Sequence, residues 1–433
     1  MSMGGRQRWL DGLRGIAAAI VAWFHFTVGE MKIPYRGFGD EPAEQNRRLI
    51  QLPPFRIPFA GKAMVTLFFV ISGYSVPLAI IRRRGQSSNA DCYRKLTSSV
   101  IRRGFRLYLP IIFVCITSQI LFFMGAYSNW SFPRTEGCPR APPWSATWQH
   151  LRCFALSFLS SIGFVEAKSS SGLNPQLWTM PIELKGSFAV YLIILGLLPA
   201  TPKVRLMIVA ILAALFLYFG FQELFCFFSG LLFAELEVMN QNGAIFVAPV
   251  THKPPIAKPR WSLAAFIALF ASGIYLLCLP YRGGSYEDYW YSSRLSILPY
   301  WDHPVKRINF WWFIGSIMLT AAIRCLPLIR KGLESPIAQF LGEISFSLYL
   351  LHQTFIRVLR NPILNWTCWK LWGRNFEATR ADAAGSDVYY WSWTVAATFI
   401  FPLLVMSATV MTRTVNRRSI ALTYQFEEWL SGR

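Results

Sequence analysis

Charge is what this sequence has least of. Only 15% of its 433 residues are Asp, Glu, Lys or Arg, where a soluble domain carries about a quarter. Acidic residues are the scarcer sign, 22 against 43 Lys and Arg. Histidines number five and cysteines eight, scattered with no CxxC pair and no His/Cys cluster. That removes the usual ligand spacings of a metal site, so no metal is expected. A cleavable signal pattern is also missing. The first apolar run follows Arg6 and Arg8, contains Asp11 and Arg14, and ends without a clear small-residue cleavage site. No repeat or low-complexity tract stands out. The links between apolar runs are too short for a sizeable soluble domain. The expectation is one membrane-embedded domain over 1–433 with a tail at 413–433.

Apolar residues are abundant: 54% hydrophobic and 16% aromatic, with a mean hydropathy of +0.35. Apolar runs near bilayer length recur at 9–28, 64–81, 104–125, 182–199, 204–221, 223–238, 262–280, 309–329, 336–356 and 391–412. They predict an all-α polytopic bundle of about ten spans. Residues 151–165 form a shorter patch, suited to a re-entrant or interfacial segment. The net charge of +21 lies mostly between these runs. It therefore reads as topology and contact with the lipid bilayer rather than as nucleic-acid binding.

The link after the second run holds Arg82, Arg83, Arg84, Arg94, Lys95, Arg102, Arg103 and Arg106 against Asp91 alone, which assigns it to the cytoplasm. Links 200–205, 239–261 and 330–335, and the tail with Arg413, Arg417 and Arg418, then share that side. Both termini are expected to be cytoplasmic, in a multi-pass protein of an endomembrane. Sequons at Asn129 and Asn365 fall in outer links, where N-glycosylation occurs. Cys138 and Cys153 share an outer link and can pair in an oxidising lumen. The outer link 29–63 runs against the charge rule, with six basic residues. The outer link 281–308, rich in Tyr and Trp, reads as an interfacial aromatic belt or a substrate-stacking surface.

Chemistry begins in the first run. From Ile16 to Val28 its only ionisable residue is His25, eleven residues after Arg14. Eleven residues make about three helical turns, so both project from one face about 16 Å apart along the axis. This puts Arg14 near one surface and His25 deep. A deep ionisable residue is a functional candidate, and interhelical hydrogen bonding is the competing role. Ser72 and Gly73 sit among bulky residues in the second run, where small size favours close helix packing. Arg103 and Arg106 are three apart and share a helical face. Their guanidinium forks suit phosphate oxygens, and positive-inside signalling explains them as well. Glu183 follows Pro181 at the start of the fourth run. There it caps the helix or pairs with a histidine or arginine. Ser345 and His352 share a face in the ninth run, with His352 expected near the outer surface as an interfacial or substrate-binding group.

Taken together, these stretches resemble the acyltransferase-3 family of integral membrane acyltransferases. The resemblance rests on Leu-Asp-Gly-Leu-Arg-Gly at 10–15, the Arg14/His25 pair, and Phe-Phe-Val-Ile-Ser-Gly-Tyr at 68–74. Arg103-Gly-Phe-Arg106, Trp178 to Glu183, and Ser345 to His352 follow in order. The wording around Pro181 is similar to that of filamentous-fungal members. The resemblance implies transfer of an acyl group, commonly acetyl from acyl-CoA, to a hydroxyl of a carbohydrate or a lipophilic small molecule such as a fungal secondary metabolite. It implies His25 and Arg14 as the functional pair and Arg103 and Arg106 as the donor-binding pair. Glu183, His352 and Ser72 would be supporting groups. A proton-coupled transporter is the competing class, since buried ionisable residues also form proton paths; an inverted repeat, its usual mark, is not evident.

Overall fold

The computed structural model describes residues 7–29, 31–84, 88–127, 143–163, 173–241, 260–280, 300–301, 304–376 and 387–430. Every regular element among them is a helix: α1 (Arg8–Thr27), α2 (Gly61–Arg83), α3 (Asn89–Phe123), α4 (Thr147–Ile162), α5 (Thr179–Gly196), α6 (Pro202–Tyr218), α7 (Gln222–Gln241), α8 (Arg260–Leu277), α9 (Pro304–Cys325), α10 (Pro327–Leu333), α11 (Pro336–Trp372), α12 (Asp387–Met411) and α13 (Arg417–Leu430). They form two compact units. The first comprises residues up to 100 and 185–343; the second comprises 101–184 and 344 onward.

Five described helical stretches are long and apolar enough to cross a bilayer: Gly61–Arg83, Asn89–Phe123, Pro175–Gly196, Ile308–Cys325 and Asp387–Leu430. The other expected spans fall on shorter or more polar helices. α6 has 17 residues, α1 carries Arg8, Asp11 and Arg14, and α7 carries Glu223, Glu235 and Glu237. The patch at 151–165 lies largely on α4, a 16-residue helix. Cys153 within it is disulfide-bonded; Cys138 lies outside the described residues, as do Asn129 and most of the aromatic link.

Small residues set the packing of the first unit. A β-carbon on Gly12 would overlap the Leu333 carbonyl, and one on Gly15 would overlap the Gly342 amide nitrogen. One on Gly73 would overlap the Phe227 carbonyl. Backbone-to-backbone approach of this kind is what small residues permit between membrane helices. The glycines of the Leu-Asp-Gly-Leu-Arg-Gly stretch thus seat α1 against α10 and the first turn and a half of α11. Gly73 seats α2 against α7, as expected for the Ser72–Gly73 pair.

The arginines of the 29–63 link find partners within it. Arg36 donates to Gln45 (2.7 Å) and Arg47 to Glu41 (3.2 Å). Arg56, 4% exposed, donates to the carbonyls of Arg36 (2.6 Å) and Tyr35 (3.0 Å). These guanidinium groups fold the link onto itself.

Two helices run further than the apolar pattern indicated. α3 begins at Asn89 and already contains Arg94, Lys95, Arg102, Arg103 and Arg106. α11 continues to Trp372, so that His352 lies mid-helix and is fully buried. The continuation carries Arg357 and Arg360, which break the apolar run yet are buried in the second unit. Arg357 donates to the Leu173 carbonyl (3.2 Å), and Arg360 stacks on Trp393. Each guanidinium thus has a partner inside the fold, and the helix need not stop.

Candidate functional site

In the first unit, α1 presents the Arg14/His25 pair on one unbroken helix. Arg14 donates to Asp11 (3.0 Å) one helical turn earlier, with the carboxylate the more buried of the two. The i,i+3 spacing makes this pair legible in the sequence; it escapes a reading confined to Arg14 and His25. His25 is half-buried and sits in the last turn, two residues from the helix end. It lies against the Phe24 ring, 5.1 Å between centroids.

The link that follows closes over this end of α1. Thr27 and Tyr35 share a hydrogen bond of 2.6 Å between hydroxyls. The Tyr35 ring meets Phe24 at 5.5 Å and Phe59 at 5.9 Å, and Trp23 meets Phe59 at 6.4 Å. Burial pushes the Tyr35 phenol above its ordinary range, with the Thr27 hydrogen bond pulling the other way. The turn carrying His25 is therefore held by an aromatic cap. Ser72 lies half-buried on α2 in the same unit.

In the second unit, Arg103 on α3 donates to Glu183 on α5 at 2.7 Å, with side-chain exposures of 24% and 11%. Of the two partners the sequence left open for Glu183, arginine is the one the structure supplies. Arg106, one turn further along α3, is exposed. The short turn Pro175–Trp178 leads into α5 and fixes a polar cluster beside this ion pair. Thr179 shares a hydrogen bond with the Tyr349 hydroxyl (2.8 Å), and Tyr349 donates to the Gln176 carbonyl (2.8 Å). Gln176 in turn donates to the Leu350 carbonyl (2.6 Å). One turn along α11, His352 places Nδ1 2.6 Å from the Tyr349 carbonyl, which favours the tautomer with the proton on Nδ1. Deeper, Ser118, Asn174 and Thr354 form a second buried set, Ser118 meeting both partners at 3.0 Å.

Arg14, His25 and Ser72 thus belong to one unit. Arg103, Arg106, Glu183 and His352 belong to the other, where Arg103 and Glu183 are joined directly. Tyr349 and Thr179 were missed in the sequence. Tyr349 lies three residues before His352, on the same helical face, and Thr179 lies inside the stretch that carries Glu183. The sequon asparagine Asn365 lies within α11. Its Oδ1 accepts from the Phe376 amide (2.9 Å), and Thr367 is buried.

Comparison with known proteins adds to this geometry. A family model described as an acyltransferase domain matches residues 7–413. Similar proteins include the O-acetyltransferase PaAT-1 of Phomopsis amygdali, 28% identical over 82% of this chain and 73% of its own length. Acyltransferase clz18 of Cochliobolus lunatus is 24% identical, covering 94% and 93%. Acyltransferase R4 of a Phoma species is 25% identical, covering 88% and 89%. No solved structure matches significantly.

Proposed function

The chain belongs to the acyltransferase-3 family, and on that premise we propose that it moves an acyl group, acetyl foremost, from acyl-CoA to a hydroxyl group of a lipophilic small molecule or a carbohydrate. The observation that carries this reading is a family match that takes in α1 with Arg14 and His25, α3 with its arginines, and α5 with Glu183. The similarity to an O-acetyltransferase supports acetyl as the group moved.

Each residue has a role in this proposal. Arg106 and Arg103 hold donor phosphates by charge-assisted hydrogen bonds, which planar guanidinium forks make well. Glu183 fixes the orientation of Arg103, whose guanidinium carries several N–H donors. His25 takes the proton of the acceptor hydroxyl as the oxygen attacks the thioester carbonyl. The C–S bond then breaks, and the departing sulfur takes that proton. A two-step route through an acyl-imidazole uses the same residue. The aromatic cap over His25 favours an acceptor with apolar surface next to its hydroxyl.

The same proposal keeps about ten spans with both termini cytoplasmic. The disulfide at Cys153 supports an oxidising environment for the link between α3 and α5. The test is incubation of purified protein, wild type and His25→Ala, with labelled acetyl-CoA and a panel of lipophilic alcohols and sugars. Label on an acceptor with wild type alone supports the assignment. Label transferred equally by the variant removes His25 from the chemistry. Proton-coupled uptake of a panel compound into vesicles, without acylation, would favour the transporter instead.

A further inference from the structure

The first unit holds a charge cluster that the proposed transfer does not use. Arg84, at the C-terminal end of α2, donates to Glu235 on α7 at 2.8 Å, with side-chain exposures of 6% and 3%. Arg205 on α6 approaches the other oxygen of the same carboxylate at 3.5 Å. Two guanidinium charges thus share one carboxylate. The charges that act on Arg205 are those of Arg84 and Glu235.

Guanidinium groups do not give up their proton in proteins, so among the described residues the cluster keeps one uncompensated positive charge. Its hydrogen bonds are also incomplete. Among the described residues, the buried Nε and Nη2 of Arg84 have no acceptor, in a group that forms strong bonds wherever an oxygen is supplied. Arg205 retains 13% exposure and donates from Nη1 to the Ala200 carbonyl. It is therefore the side from which a ligand can approach. Buried excess charge with idle fork donors is costly to maintain, unless an anion with several acceptor oxygens completes it.

We propose that Arg84 and Arg205 form a phosphate-binding site distinct from the Arg103/Arg106 pair, taking a phosphomonoester or phosphodiester oxyanion while Glu235 holds the two arginines apart. The charge pattern assigns this end of α2 to the cytoplasmic surface, where a phospholipid headgroup and the phosphates of soluble CoA are both at hand.

The experiment measures thermal unfolding of the full chain in phosphatidylcholine nanodiscs, with phosphatidic acid in the disc or with CoA added to the buffer. A ligand that binds the folded state raises the midpoint by mass action. Arg205→Gln keeps the 2.8 Å Arg84–Glu235 pair and removes the excess charge. Its half-maximal shift should require at least about ten-fold more ligand than wild type. Glu235→Gln adds to the excess and should bind more tightly than wild type; should it fail to fold, Arg205→Lys, which keeps the charge, should retain most of the shift. A shift that Arg205→Gln weakens with phosphatidic acid alone identifies a lipid headgroup, and one it weakens with CoA alone a soluble phosphate; a CoA shift the variant keeps in full belongs to the Arg103/Arg106 pair. Equal shifts in wild type and Arg205→Gln with both probes, or no shift in wild type with either probe, would overturn the proposal. Loss of acetyl transfer by His25→Ala is a separate readout, so either reading can fail alone.

Discussion

The Arg103–Glu183 pair can be weighed before it is measured. Exposed ion pairs contribute about 0.2–1 kcal/mol, while removing one partner of a fully buried pair costs about 3–5 kcal/mol. With 24% and 11% of their side chains exposed and a 2.7 Å separation, these groups lie between the two regimes. A coupling of about 2 kcal/mol follows, on the order of thirty-fold in an equilibrium constant. Glu183→Gln, Arg103→Gln and the double variant make a cycle to be read twice, in thermal stability and in kcat/KM for the acyl donor. If Glu183 orients Arg103 for donor phosphates, Glu183→Gln should raise the donor KM while kcat changes little. The double variant should then be no worse than Arg103→Gln alone. A coupling below about 0.5 kcal/mol, in the range where independent sites simply add, would refute the positioning argument. So would a donor KM that Arg103→Gln leaves unchanged.

Other residues give sharper or simpler outcomes. His25→Ala should lower turnover by about two to four orders of magnitude, the range of general-base catalysis, with membrane insertion unchanged by protease protection. Tyr349→Phe removes the hydroxyl that bridges Thr179 and the Gln176 carbonyl. It should cost about 1–3 kcal/mol of stability, read as a lower unfolding midpoint. Gly12→Val forces a side chain into the Leu333 carbonyl. It should destabilise by about 1–3 kcal/mol or more, detectable as loss of monodisperse protein on size exclusion, whereas the same change at the open Gly104 should be tolerated. Asn365→Gln should leave electrophoretic mobility before and after glycosidase unchanged, because the wild-type asparagine is held within α11; a mobility difference would show that it carries a glycan.

Much of this protein is written in one dimension. Bilayer length and hydrophobicity are properties of consecutive residues, so the all-helical membrane class could be read directly. So could the second and third spans, the shared face of Arg14 and His25, and the packing role of Gly73. The family motifs are likewise contiguous stretches. Partners distant in sequence were not legible. Nothing local to Glu183 selects Arg103, eighty residues away, over a histidine, and nothing local to Glu235 announces two arginines on one carboxylate. The extent of α11 was hidden for the same reason. Hydropathy reads Arg357 and Arg360 as an end, whereas the Leu173 carbonyl and the Trp393 ring make them interior residues. The basic residues of the 29–63 link were likewise not legible as local anchors, because the charge rule counts arginines without knowing which ones bind their own loop. Sequence by itself determined that the chain is helical and where its most apolar stretches lie, because those follow from local composition and period. Only tertiary structure decided which charges meet, because a buried charge is settled by whatever the fold places within hydrogen-bonding reach.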